Sequence, residues 1–94
     1  MKHASRIVLH SPPADPSRLE AFVEACIADG VELIAISGPG AAKLEDEIDW
    51  IIIGDGSNFD RFIVTSIHDS IEEARNFAEN WNAGQAATVE EIVL

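Results

Sequence analysis

A chain of 94 residues has room for one small domain, and its hydrophobic fraction of 47% supplies a core for it to bury. Six Lys and Arg stand against 17 Asp and Glu, a formal charge of -11, which argues against nucleic-acid phosphates and anionic membranes as partners and suits a basic protein. Cys26 is the only cysteine, so there is neither a disulfide framework nor a Cys-x-x-Cys pair.

The first six residues lead into only Ile7-Val8-Leu9 before His10. That run is too short for a signal-peptide core, and no apolar stretch is long enough to span a bilayer. A cytoplasmic location is the default expectation. His3 falls in a tail expected to fray and receives no role.

Arg6 to His10 reads as a first strand, broken by Ser11-Pro12-Pro13-Ala14 because proline cannot continue a ladder. Asp15-Pro16 is a helix start, with Asp to cap free amides and Pro at the first helical position. Leu19, Phe22, Val23, Cys26 and Ile27 follow with the spacing of a core-facing stripe, and Gly30 is the stop. Val31 to Ser37 is a nearly continuous apolar run, the pattern of a strand buried on both faces of a parallel sheet.

Gly38-Pro39-Gly40 turns the chain into a second helical pattern, Ala41, Leu44, Ile48, Ile51 and Ile52, with Gly54 as its end. A rival reading makes Trp50 to Ile53 a strand paired with Phe62 to Ile67, since isoleucine runs favour strands. Periodicity sustained over more than three turns decides for the helix. Gly54 to Asn58 is a loop, and Arg61 to Ile67 is a third strand. Ser70-Ile-Glu-Glu73 has the form of a capping box before a third helix with Ile71, Ala74, Phe77, Ala78 and Trp81 on its buried stripe. Asn82-Ala83-Gly84 ends that helix, and Thr88 to Leu94 supplies a last strand.

The order β-α-β-α-β-α-β implies one α/β domain over residues 1–94: a small three-layer α-β-α open sheet of four mainly parallel strands with right-handed crossovers. The favoured strand order is 2-1-3-4, a truncated flavodoxin-like or Rossmann-like arrangement; it buries the apolar first strand and leaves the Glu-bearing last strand at an edge. The main rival order is 3-2-1-4.

Ligands of open parallel sheets bind beyond the carboxyl ends of the strands, where the strand order reverses. In the order 2-1-3-4 that point lies between the first and third strands. His10-Ser11 would then meet Thr65-Ser66-Ile67-His68-Asp69, with Asp15 and the first helix start alongside. His10, Ser11, Asp15, Ser66, His68 and Asp69 are therefore the candidate ligand-binding residues. His10, His68 and Asp69 could ligate a divalent metal, and the imidazoles could serve as acid, base or phosphoryl acceptor. The competing expectation is that both histidines are half-buried strand-end residues bonded to nearby groups.

Other features carry less. Gly38-Pro39-Gly40 with Lys43 resembles a phosphate turn only in outline, because Pro39 removes an amide and no G-x-G-x-x-G or P-loop pattern follows. Cys26 is expected to be an inert hydrophobe, and Trp50 and Trp81 to be core or edge-of-core residues. Glu45-Asp46-Glu47-Asp49 reads as a solvated helix face. Asp55 to Asp60 lacks the twelfth-position glutamate of a calcium loop. No receiver, flavodoxin or thioredoxin signature is present.

The first functional expectation is a non-enzymatic binding or regulatory module acting through a protein partner or as a homodimer. The alternative is a small-ligand, metal or catalytic site at the ends of strands 1 and 3. No cofactor is named by the residues.

Overall fold

The computed structural model describes residues 3–54, 63–81 and 88–94. Four strands, β1 (Arg6–His10), β2 (Leu33–Ser37), β3 (Val64–His68) and β4 (Val89–Ile92), alternate with three helices, α1 (Leu19–Asp29), α2 (Ala41–Ile53) and α3 (Ile71–Asn80). All strand pairings are parallel. The fold is the α/β sandwich with helices on both faces that the alternation implies.

The strand order is β3-β2-β1-β4, which corrects the favoured 2-1-3-4. Burial explains the choice. Leu33–Ser37 is buried at every position, whereas β3 carries Thr65, Ser66 and His68, is partly buried at four positions and exposes Ile67. An interior slot suits the first composition and an edge suits the second. Both orders keep β1 inside and β4 at an edge, so the polarity of β3 is the deciding difference.

Alternation along the strands divides the core in two. Ile7, Leu9, Ile34 and Ile36 face α1 and α2, where they pack with Leu19, Phe22, Val23, Cys26, Leu44, Ile48 and Ile52. Val8, Leu33 and Ala35 face α3 and meet Ala74 and Ala78. The alanines let α3 lie close on the sheet. Its start is fixed by Ser70, whose Oγ accepts from Glu73 N at 3.1 Å, while Glu73 Oε2 accepts from Asp69 N at 3.2 Å. This is the expected capping box with its return arm placed one residue early. Its end is held by Arg6, which donates to the carbonyls of Ala78 at 2.9 Å and Glu79 at 3.2 Å and lies over the Trp81 ring. A cation on the last carbonyls also complements the helix dipole.

Helix α2 runs through Ile53, so the strand reading of Trp50 to Ile53 does not hold. Asp15 caps a short 3-10 turn, Pro16–Arg18, that precedes α1. Gly30 ends α1 in the left-handed conformation at φ 79°. Trp50 departs from expectation: it is 72% exposed on α2, because Leu44, Ile48 and Ile52 occupy the core face and Trp50 falls outside their arc. Trp81 is partly buried, as expected for the core edge. The end of the third helix at Asn82-Ala83-Gly84, the Asp55–Asp60 segment and Arg61–Phe62 lie outside the described residues.

A close approach joins the loops after β1 and β2. Ser11 N donates to Ser37 O at 2.8 Å, and Ser11 Oγ donates to Pro39 O at 2.7 Å. Gly38 sits at φ 120°, and a Cβ there would stand 2.0 Å from the Ser11 carbonyl oxygen. Gly38→Ala should therefore cost about 3 kcal/mol or more in urea unfolding, from positive φ and backbone collision together. Gly30→Ala meets open space and should cost only about 1 kcal/mol. Equal losses would show that the loop contact is not required.

Candidate functional site

The register sets out the carboxyl edge of the sheet. His10 of β1 pairs with Ser37 of β2, which pairs with His68 of β3. The two histidines therefore stand two strands apart, about 10 Å at the usual strand spacing, with buried Ser37 between them. The convergence expected from adjacent first and third strands does not form. Among the described residues, no three His, Cys, Asp or Glu side chains gather as metal ligands.

Each sequence candidate has its own local bonds. His68 Nε2 lies 2.8 Å from Ser66 Oγ, and its ring packs against Phe77 at 4.7 Å. Asp69 joins the α3 cap through its backbone. Ser11 ties the two loops, and Asp15 accepts from Ser17 N at 3.2 Å and Ser17 Oγ at 2.5 Å. His68, Asp69 and Ile67 line a polar hollow of about 440 Å³ against Gly38-Pro39 and the start of α2. His10 is bound elsewhere.

With the order β3-β2-β1-β4, the reversal falls between β1 and β4. There His10 Nε2 lies 2.7 Å from Glu91 Oε2. Arg75 of α3 completes the group with a fork on the same carboxylate, Nε to Oε1 at 2.5 Å and Nη2 to Oε2 at 3.0 Å. The hydrogen bonds from Arg75 and then His10 hold the Glu91 carboxyl down at about 2. Arg75 and Glu91 were not among the sequence candidates. Two adjacent glutamates on a strand must face opposite sides; strand order decides whether β4 lies beside His10, and register decides which glutamate shares its face.

The carboxyl-end crevice itself is filled by the chain. Leu94 is buried in the α1/α2 core, and its carbonyl accepts from Ala14 N of the first loop. A larger concavity than the hollow beside His68 lies on the flank. A groove of about 660 Å³ runs between α1 and β4, lined by Arg18, Ala21 and Phe22 on one side and Glu90, Ile92 and Leu94 on the other. It exists because α1 and α2 are crossovers for β1, β2 and β3, so among the described residues no helix of their layer stands beyond β4. His3 closes one end: its backbone donates to Asp29 Oδ2 at 2.9 Å, its Nδ1 lies 3.3 Å from Glu90 Oε1, and its ring meets Phe22 edge-on. The expected frayed, role-free His3 is thus anchored. Cys26 is fully buried, and desolvation, with Asp29 and Glu90 nearby, pushes its thiol up to about 12; it is no nucleophile.

A family model described as a domain of unknown function, DUF7684, matches residues 2–94. The chain belongs to that family. No curated protein and no solved structure matches it. Among the described residues, no helix of this DUF7684 chain is long and apolar enough to cross a membrane.

Two outcomes follow for the DUF7684 side chains. Glu91 titrates lower in the folded chain than the ordinary 4.5, so its stabilisation is full above 4.5 and drains away as pH falls toward 2. Arg75→Ala should move the Glu91 titration, followed by carboxyl-carbon NMR, upward toward 4.5 and shift acid unfolding to higher pH. An unmoved midpoint would dissolve the cluster. The Cys26 thiol should resist a thiol reagent in the native protein and react at the rate of unfolding.

Proposed function

We propose that this chain is a non-enzymatic binding module that takes a basic protein partner along the groove between α1 and β4. The observation that carries the reading is the groove itself, about 660 Å³ with an apolar floor of Phe22, Ile92 and Leu94, beside a strand that ends the sheet. Apolar floors with a polar rim are what protein partners fill. The formal charge of -11 supports a cationic partner and opposes a second copy of the chain, because like charges repel at close approach. A cytoplasmic setting agrees with the buried free thiol.

A second reading keeps the same groove and changes its occupant. The volume falls within the range of small-molecule sites, and Arg18, His3 and Glu90 offer polar contacts to an amphipathic ligand. The metal or catalytic site between His10 and His68 has no such support, since each imidazole is held by a different partner.

Native mass spectrometry of the protein purified from its own host separates the readings. The expected result is a protein complex that dissociates as salt rises from 50 to 500 mM. Ala21→Trp, which fills the groove, should abolish it, and Trp50→Ala on the far helix should leave it intact. A small added mass would favour the second reading. A partner retained by Ala21→Trp would remove the groove from the account.

A further inference from the structure

The groove has one wall that is main chain. Among the described residues β4 pairs only with β1, so its outer edge presents backbone N–H and C=O groups along the length of the groove. Register fixes which side chains lie beside that edge. Ile7 pairs with Glu90 and Leu9 with Ile92, so Glu90 and Ile92 share the α1 face of the sheet, two residues apart. Glu91 faces the other way, where Arg75 and His10 already neutralise it.

We infer that β4 binds an extended segment of the partner as a fifth strand, a mode in which the ladder supplies affinity and alternate side chains supply specificity. The inference rests on the groove being the partner site. The incoming strand would place every second side chain in the groove. One lies across from Glu90, where a Lys or Arg is favoured. The side chain two positions away lies across from Ile92 and beside Phe22 and Leu94, where an aliphatic or aromatic group is favoured. The recognised pattern is therefore a basic residue and an apolar residue at i and i+2, in one order for parallel addition and in the reverse for antiparallel. Residues between them face solvent or the Arg75 side and are unconstrained in sign.

Occupants of other chemistry fit less well. A second copy would bring its own Glu90 and Glu91 to this edge and add another -11. Among the described residues the opposite edge, β3, has an exposed Ile67 and, beside it, the polar hollow at its carboxyl end, a poorer place than the groove for an added strand to bury apolar side chains. A partner helix could fill the groove floor, yet it would leave the β4 edge unpaired.

The test uses a synthetic array of acetylated heptapeptides on a threonine background. Lys or Arg stands at one position and Val, Ile, Leu or Phe two positions away, in both orders, with scrambled controls. Binding to the intact protein is read by fluorescence anisotropy. The expected result is binding by peptides of one order at least tenfold tighter than by their scrambled forms. Glu90→Lys should reverse the preference, so that Glu replaces Lys in the best peptide. The best peptide is then N-methylated on one or the other alternate set of amides. Strand addition requires that one set abolish binding and the other leave it, because only one set faces β4. Equal tolerance of both sets, with binding still lost in Ala21→Trp, would overturn strand addition while the groove reading survives. No peptide binding in the array would overturn strand addition too, and only failure of the host complex to respond to Ala21→Trp would overturn the groove.

Discussion

The seam between the first two strand-end loops governs what the rest of this fold can do. Ser11 lies so close on Gly38 that no side chain fits at that glycine, and Ser11 is bonded to both Ser37 and Pro39. The seam closes the carboxyl end of the two most buried strands, where an open α/β sheet ordinarily receives its ligand. Leu94 extends the closure to β4 by packing into the core and bonding Ala14. With the β1 and β4 ends closed in this way, the hollow left at that edge is the polar one beside His68, and the apolar groove lies at the side.

The side is open for a topological reason. Right-handed crossovers from β1 to β2 to β3 place α1 and α2 on one face, and the return from β3 to β4 places α3 on the other. α3 packs against both interior strands through Ala74 and Ala78 and holds β4 through Arg75 and Glu91. Among the described residues nothing comparable covers β4 on the α1 face, so the groove follows from the chain order and from the position of β4 at the sheet's end. His10, Glu91 and Arg75 then act as a clamp that keeps the edge strand in place, an ion-paired group with a carboxylate far below its ordinary range.

Much of this was legible in the residues. Arg6 to His10, the Leu19-to-Ile27 stripe, the Gly30 stop and the Ser70 cap each follow a local rule, and each element formed where its rule put it. The helical periodicity across Ala41 to Ile52 outweighed the strand preference of its isoleucines. Strand order was harder because it is a non-local choice. Its signal lay in comparing Leu33–Ser37 with Val64–His68, apolar against polar, rather than in either strand alone. The site expectation inherited that choice: with β2 interposed, His10 and His68 part company, and Glu91 becomes the neighbour of His10. Exposed Trp50 shows the limit of residue-type reasoning, since a tryptophan outside the buried arc of its helix stays in solvent whatever its hydrophobicity.

Amide hydrogen exchange on the protein with and without its host partner tests the central claim most directly. The account predicts that binding protects the amides of β4 and of the α1 turns around Ala21, while the amides of His10, Ser11, Gly38, Gly40, His68 and Asp69 keep their free rates. Protection centred on those three strand-end loops, with β4 unchanged, would contradict it and return the site to the carboxyl edge.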